Sequence, residues 1–89
     1  MIKIAYSPAF ARAYKKLIKN QAAKQQLFNE KVAVFLKDPY DHQLRTHKLK
    51  GILKDFYSFS IDYDLRVIFY FASENEVIFE NIGSHDEVY

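Results

Sequence analysis

The chain has 89 residues, enough for one domain with a small core, and its seven Tyr and eight Phe can fill much of that core. It has no Cys, which excludes disulfide staples and thiolate metal sites, and no apolar run approaches the ~20 residues that span a bilayer. The net charge of +2 conceals an asymmetry: residues 1–54 hold twelve Lys or Arg and three acids (net +9), while residues 55–89 hold Arg66 and eight acids (net −7).

Ile2, Ile4 and Tyr6 alternate with Lys3 and Ala5, which predicts a strand over residues 2–6. This start is too short for a secretory leader and runs straight into a helix signal, so a cytoplasmic protein is expected. Ser7-Pro8 supplies an N-cap and a proline at the first helical position. Phe10, Tyr14, Leu17 and Ile18 fall on one helical face, with Arg12, Lys15, Lys16 and Lys19 mostly opposite. Asn20 and Gln21 break the pattern. A second helix is expected over 22–37, with a stripe of Phe28, Val32, Phe35 and Leu36 widened by Leu27 and Ala33. Asp38-Pro39 stops it, because a residue before proline avoids helical geometry. Helices joined so briefly should form an antiparallel hairpin.

Residues 39–48 show no period and read as a loop. A strand is expected to begin over 49–54, with Gly51 at a bend or bulge. Tyr57, Phe59, Ile61 and Tyr63 alternate with more polar neighbours, a strand pattern that 62–64 can turn into the next. Leu65, Val67, Phe69 and Phe71 alternate with Arg66, Ile68 and Tyr70. Both faces of that run are apolar, so it should be central and covered by helices on at least one side. Residues 73–75 turn the chain into a last strand over 77–82, which Gly83 is expected to end. The order β-α-α-β-β-β describes an α+β fold: a helical hairpin on a small, mainly antiparallel sheet, with 1–89 as a single domain.

The three His, at 42, 47 and 85, have no metal-ligand spacing. With only Gly51 and Gly83, the chain has no phosphate-cradling loop, and it has no nucleophile elbow. No metal and no small-molecule cofactor is expected. What remains is a polar set: His47, Lys48, Lys50, Lys54, Arg66, His85 and Tyr89. Cleaving RNA without a metal needs a base for the 2′-OH, an acid for the departing 5′-oxygen, and cations for the crowded phosphate. Histidine titrates in the right range, arginine suits bidentate phosphate contact, and tyrosine can stack on a base. Each residue also has a plainer reading. Arg66 can pair with Asp62, Asp64 or Glu80, His85 can be a surface histidine, and Tyr89 can be a packing residue.

The runs HKLKG at 47–51, DLRVIFYF at 64–71 and IGSHDEVY at 82–89 resemble the RelE/ParE superfamily of bacterial toxins. They are most similar to its RelE/YafQ-like branch of messenger-RNA interferases, and the similarity covers nearly the whole chain. The ending G-x-H-x-x-x-Y is its most specific part, followed by the arginine of D-L-R-V-I. The resemblance implies the same β-α-α-β-β-β fold. It also implies a type II toxin that cleaves messenger RNA on the ribosome, without a metal, through 2′-OH attack. By it Arg66 corresponds to the phosphate-binding arginine, His85 to the C-terminal catalytic histidine and Tyr89 to the terminal aromatic. His47, with Lys48 and Lys50, falls where relatives place further catalytic or RNA-contacting residues. Expected partners are the ribosome, messenger RNA and a cognate acidic antitoxin, with no membrane. The alternatives within this fold are a ParE-like DNA gyrase inhibitor and an inactive binding module.

Overall fold

In the computed structural model, which describes residues 1–84 apart from the side chain of residue 52, strand β1 (Lys3–Tyr6) turns at once into helix α1 (Pro8–Leu17). Ser7 makes that turn. Its Oγ accepts from the Phe10 backbone N–H at 2.9 Å, satisfying a donor that the helix start leaves free. Its hydroxyl also donates to the Glu80 carbonyl at 2.7 Å, so one serine starts the helix and ties it to the far end of the chain. Helix α2 (Ala22–Lys37) has no side-chain N-cap. The Gln25 amide instead donates back to the Ile18 carbonyl at 3.3 Å, linking the two helices.

The chain continues through a 3₁₀ turn (His42–Leu44), β2 (His47–Lys48), a second 3₁₀ turn (Gly51–Leu53), β3 (Tyr57–Ser60), β4 (Leu65–Ser73) and β5 (Glu76–Ser84). The sheet order is β1-β5-β4-β3-β2. The β1 and β5 strands run parallel and all other neighbours antiparallel. The arrangement is the expected α+β one, and β4 is the middle strand, as its two apolar faces require. Cross-strand partners share a sheet face. Phe59, Val67, Phe69, Val77 and Phe79 form the face under the helices, where the fully buried Phe35 of α2 meets them. Its ring lies 5.0 Å from those of Phe59 and Phe69 and 5.4 Å from that of Phe79. Phe10 of α1 reaches Phe79 at 5.6 Å. Each such ring contributes about 1.5–3 kcal/mol by burial, so a few aromatics supply much of what holds so small a domain together.

Four details depart from the sequence reading. The strand expected over 49–54 is instead the two-residue β2, adding a fifth strand. Gly51 has φ +71, a left-handed conformation that breaks a regular strand, and here the chain coils into a 3₁₀ turn. It rejoins β3 through the Leu49 N–H, which donates to the Phe56 carbonyl at 2.9 Å. Second, β3 stops at Ser60 because the Asp62 carboxylate accepts from the backbone of Asp64 and Leu65, at 2.9 and 2.8 Å, and closes a turn. Third, β5 does not end at Gly83, which pairs with Arg66, and Ser84 still pairs with Leu65. Fourth, Leu36 is 43% exposed, because Phe35 takes the inward position on that turn of α2. A register shift sets Ile68 opposite Asn81 and Phe69 opposite Phe79. The extra residue is Glu80, whose carbonyl is the one that Ser7 takes.

Candidate active site

Arg66 lies opposite Ser60 on β3 and Gly83 on β5. Being out of phase with Leu65 and Val67, it projects from the sheet face that the helices do not cover. Ser60 stands on that face too, and its Oγ accepts a hydrogen bond from Nη1 of Arg66. Gly83 adds no side chain beside it. The Arg66 Nε is shielded from water and has no hydrogen-bond partner among the described residues. A buried donor left without a bond costs ~1–3 kcal/mol, and more when charged. The plainer reading of Arg66 required a carboxylate. Among the described residues none pairs with Arg66, nor with any other Lys or Arg.

The guanidinium opens onto a cleft of about 660 Å³ lined by Lys31 of α2, Gln43, Arg45, Ser60 and the turn at 61–64. Arg45 was not singled out in the sequence. It ends the first 3₁₀ turn with φ 51, a left-handed conformation that is strained for a residue with a Cβ. Its carbonyl oxygen lies 3.1 Å from Nδ1 of His47, so the strained backbone also steadies that ring. Lys31 is hidden among the polar positions of a helix, and nothing in the sequence sets it apart from the other lysines. Three cations thus converge from a helix, a loop and a strand.

His47 is exposed on β2, opposite Ser58, which puts it on the same sheet face as Ser58, Ser60 and Arg66. Two strand spacings and two residues separate it from Arg66, ~12 Å between Cα atoms in an ideal sheet. The structure therefore places His47 at the rim rather than in the cleft lining. Lys48 lies opposite Tyr57, alternating away from His47, and Lys50 and Lys54 flank the second 3₁₀ turn. All three lysines are exposed, and none lines the cleft. His85 and Tyr89 lie outside the described residues. The last described pair of β5, Ser84 with Leu65, adjoins Arg66. Two phenols outside the cleft have raised pKa values. Burial and then Tyr14 act on Tyr6, while burial, the hydrogen bond shared with Tyr57 in which the protonated Tyr40 hydroxyl is favoured, and nearby negative charge act on Tyr40.

Two helices on a mixed five-stranded sheet, with a strand arginine facing a cleft of mixed charge, form a small α+β scaffold of the RelE-like kind. The sequence matches the family of YafQ bacterial toxins of type II toxin–antitoxin systems over residues 2–89, and the chain belongs to that family. A metal-bound toxin from Helicobacter pylori shares 30% identity and a TM-score of 0.81, with 100% of both chains covered. Escherichia coli YafQ shares the fold at 16% identity and a TM-score of 0.80, covering 100% of this chain and 99% of that one. YafQ in the E. coli DinJ–YafQ complex does so at 19% identity and a TM-score of 0.73, with the same coverage. Among curated proteins, no sequence matches the chain significantly. The H. pylori toxin is metal-bound, but among the described residues here no three His, Asp or Glu side chains are grouped to hold a metal ion. No helix among them is long and apolar enough to cross a membrane.

Proposed function

We propose that this toxin is an endoribonuclease that cuts messenger RNA in the ribosomal decoding site. The 2′-oxygen attacks the adjacent phosphorus, the bond from phosphorus to the 5′-oxygen breaks, and a 2′,3′-cyclic phosphate remains. The observation that carries this reading is Arg66: a strand cation held by Ser60, facing a cleft, with Nε unbonded and no carboxylate partner among the described residues. Charge grows on the phosphate oxygens as the 2′-oxygen adds. A half-buried arginine already oriented by Ser60 stabilises that charge with little reorganisation. Arg45 and Lys31 extend the cationic lining to a neighbouring phosphate. His47 and His85 are assigned the two proton transfers, one taking the 2′-OH proton and the other protonating the 5′-oxygen. Tyr89 is assigned to stack on or orient the substrate, and Lys48, Lys50 and Lys54 to contact the RNA backbone around the site. For His85 and Tyr89 the support is the sequence resemblance.

A cognate antitoxin of acidic character belongs to the same reading. No Lys or Arg of the basic half has a carboxylate within ion-pair distance among the described residues, which leaves those cations available to a partner. An acidic partner segment with apolar anchors suits that surface. E. coli YafQ forms a complex with DinJ, which supports a protein partner here.

The test is to incubate the purified protein with message, with and without ribosomes, and to map the ends formed. Ribosome-dependent cuts ending in 2′,3′-cyclic phosphate are expected. Intact message together with blocked DNA gyrase would overturn the reading in favour of ParE-like inhibition. Stopped-flow mixing with the co-expressed partner should give an on-rate that falls steeply with salt. An on-rate indifferent to salt would remove the basic half from the docking surface.

A further inference from the structure

The cleft is electrically divided. Lys31, Arg45 and Arg66 line it as cations, while the turn bearing Asp62, Tyr63 and Asp64 lines it with two carboxylates and a ring. Phosphates belong with the cations and are repelled from the carboxylates. What fits the turn is a flat, uncharged group that can donate hydrogen bonds.

Tyr63 is presented for such a group. It is 97% exposed, so its ring packs on almost nothing. It is not loose chain: Asp62 accepts from the backbone of Asp64 and Leu65 at 2.9 and 2.8 Å, and the Ile61 N–H donates to the Leu65 carbonyl at 2.9 Å. These bonds fix the turn beneath the ring. Tyr63 is three residues from Arg66, at most ~10 Å along the chain. A base stacked on it therefore belongs to the nucleotide whose phosphate Arg66 holds, or to the next one.

We propose that Tyr63 is the stacking platform for a nucleobase beside the scissile phosphate. We further propose that Asp62 and Asp64 make it favour bases with an exocyclic amino group. Adenine, guanine and cytosine each offer an amino donor that a carboxylate accepts. Uracil presents carbonyl oxygens on both sides of its single ring N–H, and these are repelled. The inference rests on the nuclease reading and adds a specificity that the catalytic set does not contain.

The experiment uses ribosomes programmed with messages that differ only in the base beside the mapped cut. It adds a 2′-O-methyl message, blocked at the attacking oxygen, with 2-aminopurine at that position. The parent should cut the uracil message about tenfold or more slowly, and its binding should quench 2-aminopurine. Tyr63→Phe should keep both behaviours, because the ring remains. Tyr63→Ala should slow cleavage of the other three messages by roughly tenfold or more, on the scale of losing one stacked base, and should abolish the quench. Because Tyr63 is almost fully exposed, its truncation leaves the fold untouched. Parent-like cleavage and quenching by Tyr63→Ala, with message still cut, would overturn this inference and leave the nuclease reading standing. A parent that neither cuts nor binds the messages would overturn both.

Discussion

Replacing Arg66 by alanine separates a site residue from a structural one, because the two roles predict different changes in stability. The variant loses the hydrogen bond to Ser60, a charged bond of ~1.5–3 kcal/mol, but it also removes a shielded Nε whose missing partner costs ~1–3 kcal/mol or more. These terms nearly cancel, so the unfolding free energy should change by no more than about 1 kcal/mol. A residue holding a buried ion pair would instead cost ~3–5 kcal/mol when truncated. Cleavage behaves differently. Losing one preorganised group that stabilises transition-state charge lowers the rate by roughly 10²–10³-fold. Arg66→Lys keeps the charge but not the planar fork, and should fall between parent and alanine. Urea unfolding and single-turnover cleavage of ribosome-bound message measure the two quantities on the same preparations. Cleavage at the parent rate, or a loss of ~3 kcal/mol or more in stability, would refute the argument.

Three other substitutions probe separate links. His47→Gln should lower single-turnover cleavage by about 10²-fold, the scale of losing a general acid or base, while ribosome binding measured by co-sedimentation stays unchanged. Arg45→Gly suits the left-handed backbone at that position, so its urea midpoint should match the parent's. Losing one phosphate contact should flatten the slope of log affinity for single-stranded RNA against log salt by about 0.7. Phe35→Ala empties the centre of the core, where three rings meet it within 5.4 Å, and should cost about 3–5 kcal/mol in urea unfolding. That is a large share of the ~5–15 kcal/mol that holds a small domain together.

Features set by local chemistry were readable before folding. Helix α2 spans the expected residues because its apolar stripe and Asp38-Pro39 act within a few positions of one another. β4 was readable as central because both of its faces are apolar, and the same contrast exposed Arg66 as a charge needing a purpose. Features set by distant contacts were hidden. β2 is two residues long and exists through its pairing with β3, so it has no period of its own. Gly51 marked an irregularity without saying which kind. Arg45 and Lys31 differ in sequence from no other surface cation, and only the closure of the 39–48 loop and the packing of α2 bring them to Arg66. Tyr63 continued a strand pattern by residue type, but the Asp62 carboxylate bonds turned the chain beneath it.

Three places where this chain departs from the rules of a stable fold line one cleft. Most of the molecule obeys them: alternating strands bury one face, Ser7 caps its helix, and aromatic rings fill the core. Arg66 leaves a shielded donor unbonded, Arg45 holds a left-handed backbone with a Cβ, and Tyr63 gives up burial of its ring. Each alone is a minor defect worth on the order of 1 kcal/mol, easily tolerated. These three line the same 660 Å³ cleft, where a phosphate would meet the Arg66 guanidinium and a base would cover the Tyr63 ring. On the nuclease reading, RNA would cover groups that folding leaves exposed or strained, as functional sites commonly do.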